Sequence, residues 1–140
     1  MNYIKNNLEK IKSYRKKWYE NNLNYMTNYD KKRKKIDPEY KLWKNVRTRV
    51  NNYLKLENIN KNSSTYELIR LTPNELKIHL ESKFVEGMSW NNYGLYGWHI
   101  DHIIPLSSAN TEEEIYKLCH YTNLQPLWSE DNLKKGCKIL

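Results

Sequence analysis

The chain is expected to fold as a small α+β domain, a two-stranded element with a short helix and flanking helices, preceded by a helical, basic arm. Three observations predict this. Charge is split along the 140 residues: positions 1–61 hold 17 Lys/Arg against 6 Asp/Glu, a net of +11, and positions 62–140 hold 7 against 10, a net of −3. Apolar residues in the first 56 positions recur at three- and four-residue steps, the period of an amphipathic helix. Late in the chain, two β-rich runs, each containing a proline, precede a short helical stretch that stops at Gly136. The polar linker from Asn58 to Ser64 marks the expected boundary. It gives a basic arm over 1–60 and a domain over 61–140, whose ββα unit spans about 97–137.

In the arm, Ile4, Leu8, Ile11, Tyr14 and Trp18 form a thin helical stripe, and Asn21-Asn22 and Asn24 weaken it, so residues 3–35 read as one helix or two. The run Lys31-Lys32-Arg33-Lys34-Lys35 repels itself and suits ordering on a polyanion. Asp37-Pro38 opens a clearer helix to about Leu56, with Asp as N-cap and Pro in the first turn. Its stripe is Trp43, Val46, Val50 and Tyr53-Leu54, with Arg47 and Arg49 off it. Arg15, Lys16 and Lys17, the 31–35 run, Arg47, Arg49, Lys134 and Lys135 are the candidate contacts to DNA phosphate. Tyr14, Trp18, Tyr25, Tyr29, Tyr40 and Trp43 are interleaved with the basic residues, so rings can meet exposed bases.

Beyond the linker, Thr72-Pro73-Asn74-Glu75 is a capping box, and its helix carries Leu76, Leu80 and Phe84. His79 on that helix reads as a surface histidine. Glycines 87, 94 and 97 lead to the first strand, Trp98-His99-Ile100-Asp101-His102-Ile103-Ile104, which Pro105 ends. Thr111-Glu112-Glu113-Glu114 opens another helix, with its acids at the positive end. Asn123-Leu124-Gln125-Pro126-Leu127-Trp128 forms the second, irregular strand. Ser129 is the expected N-cap of the last helix, with Asn132 three positions on. An acid beside a histidine, with an oxygen ligand arriving from elsewhere, suits metal-assisted hydrolysis. The carboxylate holds a hard cation and the imidazole takes a proton from water.

This ordered set resembles the HNH nucleases, the ββα-metal endonuclease family, in its phage-type members. The likeness lies in Asp101-His102 followed by a hydrophobic pair and Pro105, Asn123 opening the second strand, and Asn132 in an Asn-x-x-Lys-Gly helix. The lead-in Phe84-Val85-Glu86-Gly87-Met88-Ser89-Trp90 also fits, and the resemblance covers roughly the C-terminal half. It implies a metal-dependent endonuclease hydrolysing DNA phosphodiester bonds, nicking one strand per site and leaving 5′ phosphate and 3′ hydroxyl. It also implies a phage or mobile-element origin. Asp101 and Asn132 would ligate the metal, His102 would be the general base, and Asn123 would bond across the loop to hold that base. An Asn oxygen in place of the histidine that many members carry favours Mg²⁺ or Mn²⁺ over Zn²⁺. His99, two residues before Asp101, and His120, close to Asn123, are possible supporting residues.

Two alternatives stand beside it. One is a DNA-binding protein on a non-cleaving scaffold of the same kind. The other is a zinc-stabilised nucleic-acid-binding module using His99, Cys119, His120 and Cys137. The absence of a Cys-x-x-Cys pair argues against structural zinc. Two cysteines make no disulfide framework. Residues Met1–Asn7 lack the apolar core of a signal peptide. No apolar run approaches the roughly 20 residues that span a bilayer, and mean hydropathy is −0.97. An intracellular protein with double-stranded DNA as partner, and no membrane, is the expectation.

Overall fold

A computed structural model describes residues 2–139, with side chains from residue 7 onward. The chain divides into two compact units that meet between Asp37 and Pro38.

The first unit is two helices, α1 (Asn2–Asn21) and α2 (Leu23–Ile36). They part at Asn22, whose amide side chain donates to the Trp18 carbonyl at 2.7 Å. Short polar side chains compete in this way for helix hydrogen bonds, so the asparagine cluster breaks the helix. Within α2, Lys34 pairs with Asp30 at 2.7 Å and Arg33 with Asp37 at 3.4 Å. These pairs offset some of the repulsion in the 31–35 run. Leu8, Ile11, Tyr14 and Trp18 line up as expected and are exposed. The place of Ile4 on that stripe, and the reading of Met1 to Asn6, lie outside the described side chains.

The second unit begins at Pro38, not at residue 61 as the linker suggested. Helix α3 (Pro38–Leu56) buries Leu42, Val46, Val50 and Leu54, so it belongs to the globular core. A second four-residue row, Lys41, Asn45, Arg49 and Tyr53, bonds the region around the first strand. Lys41 donates to the Tyr93 carbonyl, Asn45 to the Tyr93 hydroxyl, Arg49 to the Ile100 carbonyl and Tyr53 to the Leu106 carbonyl. The linker 58–64 is a connection inside this unit.

Two short helices follow, α4 (Thr65–Ile69) and α5 (Pro73–Glu81), each opened by a reciprocal capping box. Strands β1 (Trp98–His102) and β2 (Leu124–Trp128) pair antiparallel, with Trp98 opposite Trp128 and His102 opposite Leu124. Helix α6 (Glu112–Leu118) lies between them in sequence, and α7 (Ser129–Lys135) follows β2. The architecture is thus a mixture of helices and one two-stranded antiparallel sheet. Trp128, not Ser129, stands at the N-cap of α7, and no side chain caps it. Gly136 ends α7 with φ 54°, the positive region glycine tolerates.

Trp98, fully buried, seats β1. Its indole N–H donates to the Ser89 carbonyl at 2.8 Å, and its ring stacks on Tyr93 with centroids 4.6 Å apart. Phe84 and Trp90 complete the cluster at 4.9 and 5.2 Å. The turn before the strand needs Gly97, because a Cβ there would fall 1.6 Å from the Asn92 carbonyl oxygen. A second core cluster holds Val50, Leu54, Leu68, Leu106, Ile115 and Cys119.

Candidate active site

Alternation along β1 sends Trp98, Ile100 and His102 one way and His99 and Asp101 the other. The first set meets the core and α3; the second meets α7. The neighbours Asp101 and His102 therefore open on opposite faces of one strand.

His102 stands at the strand's end, 9% exposed, and its Nε2 is buried without a hydrogen-bond partner among the described residues. Burial lowers its pKa to about 4, helped by the nearby Arg49 and Lys135 cations, while Asp101 opposes the shift. The ring is neutral at pH 7, with an uncommitted nitrogen.

Asn123 ties the loop that follows. Its Oδ1 accepts from the Ile104 N–H at 2.8 Å, and its Nδ2 donates to the Ile104 and Leu118 carbonyls at 2.9 and 2.8 Å. The Asn123 backbone carbonyl also accepts from the Ile103 N–H at 2.9 Å. The buried side-chain amide thus clamps Ile104 and the backbone carbonyl clamps Ile103, the two residues after His102. Such amides suit this task because a single side chain both donates and accepts.

On the other face, α7 brings two side chains to β1. Asn132 Nδ2 lies 3.1 Å from His99 Nδ1. Lys135, one helical turn later, is 2% exposed and donates to both oxygens of Asp101, at 2.9 and 2.8 Å. Its third proton goes to the His102 carbonyl. Gln125, directly across from Asp101 in the sheet register, adds a 2.9 Å hydrogen bond to the same carboxylate.

A divalent cation does not fit this arrangement. A cation held by Asp101 would share the carboxylate with an ammonium already seated on both oxygens. Among the described residues, no group of three or more His, Cys, Asp or Glu is placed to hold a metal ion. Asn132, the amide expected to join Asp101 as a ligand, turns its nitrogen to His99 Nδ1 at 3.1 Å.

The remaining expected site residues divide. Lys135 is no DNA contact: it is buried in the ion pair. Arg49 commits one nitrogen to the Ile100 carbonyl. Lys134 is exposed, 3.7 Å from Asp131. Arg15, Lys16, Lys17, Lys31, Lys32, Arg33 and Lys35 are exposed on α1 and α2, and Lys34 is half-buried. His120 is structural: its Nδ1 caps the 121–123 turn, 2.9 Å from the Thr122 hydroxyl. His79 is not a plain surface residue, since its Nε2 sits 3.3 Å from the Leu124 carbonyl and its ring meets Tyr121 edge-on. Cys119 is a core residue whose thiol burial pushes up to about 11, which disfavours the thiolate a zinc ligand needs.

Sequence reasoning missed Lys135 as the partner of Asp101. The signal was present: Lys135 follows Asn132 by one turn, so a helix that turns Asn132 toward β1 turns Lys135 toward it as well. It also missed the Lys41-Asn45-Arg49-Tyr53 row, a polar four-residue repeat beside the apolar one.

No model of a known protein family matches this chain, and no solved structure does. Two proteins of Acanthamoeba polyphaga mimivirus, both described as uncharacterized, are similar to it. One is 32% identical over 153 aligned residues, covering 99% of this chain and 66% of the relative. The other is 38% identical over 112, covering 76% of this chain and 46% of the relative. The chain thus spans between about half and two thirds of the length of these relatives. Among the described residues no helix is long and apolar enough to cross a membrane.

Proposed function

We propose that the chain is an HNH-type, ββα endonuclease that hydrolyses DNA phosphodiester bonds, nicking one strand per site, with His102 as general base. One observation carries this reading: the buried His102 Nε2 with no partner among the described residues. An unsatisfied buried nitrogen costs about 1–3 kcal/mol and is rare in native proteins unless the group has another use. A neutral imidazole with a free lone pair is the form that accepts a proton from water. Asn123, by clamping Ile103 and Ile104, fixes the backbone from which that ring projects. Arg49 adds positive charge near the ring, which favours an approaching phosphate. The exposed basic residues of α1 and α2 deliver the domain to the DNA backbone. Dependence on Mg²⁺ or Mn²⁺ belongs to this reading only for an opened arrangement in which Lys135 has left Asp101. A viral setting is in keeping with the two mimivirus relatives.

A second reading, a DNA-binding protein on a non-cleaving scaffold of this type, is favoured by the Lys135–Asp101 pair. That pair occupies the carboxylate a cation would need.

Supercoiled-plasmid cleavage by wild type and His102→Ala, in Mg²⁺, Mn²⁺, Zn²⁺ and EDTA, separates the two. Conversion to open circle by wild type, lost in the variant while DNA binding persists, is expected of the nuclease. Tight binding with no cleavage under any condition leaves the non-cleaving scaffold.

A further inference from the structure

A separate cleft of about 470 Å³ lies between α3 and the segment from Lys61 to Tyr66. One wall is a row of α3 residues at four-residue spacing, Trp43, Arg47 and Asn51. The other carries Lys61, the hydroxyls of residues 63–65, and Tyr66. Lys61 is held in place by Asn51 Oδ1 at 2.9 Å and Thr65 Oγ1 at 2.6 Å. Arg47 is exposed and, among the described residues, has no hydrogen-bond or ion-pair partner. Burial lowers the Lys61 pKa, and the positive charge of nearby Arg47 adds to that lowering. Among the described residues no acidic side chain lines the cleft. The nearest acid in sequence, Glu67, has its carboxylate on the Ser64 N–H at 2.6 Å.

Two uncompensated cations, one positioned by two fixed oxygens, among hydroxyls, make an anion site. Its size is within the range of small-ligand pockets, roughly 300–1,000 Å³, and exceeds what a bare phosphate fills. The aromatic walls offer what the remaining volume can hold. Tyr66 is 53% exposed, and Trp43 packs one side against the core while lining the cleft with the other. Rings beside a phosphate-binding pair suit an unstacked base, and an acidic peptide has no group for them.

We propose that this cleft binds one nucleotide of single-stranded nucleic acid, with Arg47 and Lys61 on its phosphate and Tyr66 and Trp43 against its base. The site needs no catalysis and stands whether or not His102 cleaves DNA.

The test is a ¹⁵N NMR titration of the full chain at near-physiological salt. The ligands are thymidine 5′-monophosphate, inorganic phosphate and a tetrapeptide of Glu and Asp. The expected result is saturable shifts of the Trp43 indole and the 61–66 amides. The nucleotide should bind about tenfold tighter than phosphate, the size of one stacked base. Arg47→Ala, at an exposed position that leaves the fold intact, should weaken both phosphate ligands about tenfold, and Arg47→Lys should recover part of the loss. Tyr66→Ala should weaken the nucleotide and leave phosphate unchanged. The proposal is overturned if shifts are confined to residues before 38, if Arg47→Ala binds like wild type, or if phosphate matches the nucleotide. Tighter binding of the acidic peptide would likewise replace it with a protein-docking site. Plasmid cleavage does not enter this readout, so failure here leaves the nuclease reading untouched.

Discussion

The Lys135 ammonium is seated on both carboxylate oxygens of Asp101, at 2.9 and 2.8 Å, with both residues almost wholly buried. This pair joins α7 to β1 and neutralises the acid that the HNH resemblance assigns to a metal. Removing two charges from water is costly, and their attraction offsets this only with good geometry and full hydrogen bonding. Both conditions hold: Lys135 spends its third proton on the His102 carbonyl, and Gln125 bonds the carboxylate.

Breaking this pair on one side should therefore be expensive. Lys135→Met leaves a buried carboxylate unpaired and should cost about 3–5 kcal/mol in urea denaturation. Asp101→Asn combined with Lys135→Met removes both charges and should recover most of that loss. Mn²⁺ should raise the melting temperature of Lys135→Met more than that of wild type, because the freed carboxylate can then take a cation. A single variant as stable as wild type, with no added response to Mn²⁺, would remove the pair from both roles.

Much of the local structure was legible because its determinants are local. The capping box at Thr72, the helix start at Asp37-Pro38, the break among the asparagines and the stop at Gly136 each depend on a few adjacent residues. The bonding of Asn123 across the loop was implied by the HNH resemblance alone, and its side chain does bond Ile104 there. What failed depended on residues far apart in sequence. The membership of α3 in the core rests on contacts with α5, and its row from Lys41 to Tyr53 bonds groups about 50 positions away. Lys135 looked like one more cation beside Lys134, and only the docking of α7 on β1 distinguishes the two. Ser129 was misread as a cap because β2 runs into α7 without a gap.

Asn123 should tolerate neither truncation nor isosteric change. Asn123→Ala abandons the Ile104 N–H and C=O and the Leu118 carbonyl, and should cost about 2–4 kcal/mol. Asn123→Asp keeps the size but turns a donor into an acceptor facing two carbonyl oxygens. It should be the more destabilising of the two at pH 7. Chemical denaturation of both variants checks the order; an Asp variant more stable than the Ala variant would mean that the amide nitrogen is not the group holding the loop.

Stability should fall in acid through His102. Its folded pKa of about 4 lies below the ordinary value of 6.5. Between these values the unfolded chain binds a proton that the folded chain refuses. The neutral ring's contribution is complete above about 6.5 and is lost as pH falls toward 4, an effect of about 3 kcal/mol. His79, also lowered by burial, adds in the same direction. Denaturation of wild type and His102→Asn at pH 7.5 and pH 4.5 isolates the His102 share. The difference between the two proteins should shrink at the lower pH, and an equal difference at both would mean that the ring titrates normally.

The arm's role is separable from the fold. Both core clusters and every strand lie after Asp37, so a chain starting at Pro38 should melt as wild type does. Residues 1–37 carry 11 Lys/Arg against 4 Asp/Glu, and those described on α1 and α2 are mostly exposed. Each phosphate neutralised by such a cation releases counterions, steepening the fall of affinity with salt by about 0.9 in the log–log slope. Deleting residues 1–37 should therefore weaken binding to duplex DNA and flatten its salt dependence by several such steps. Fluorescence anisotropy between 50 and roughly 200 mM salt reads both. An unchanged slope with intact folding would take the arm off the DNA and leave the contact to the domain from Pro38 onward.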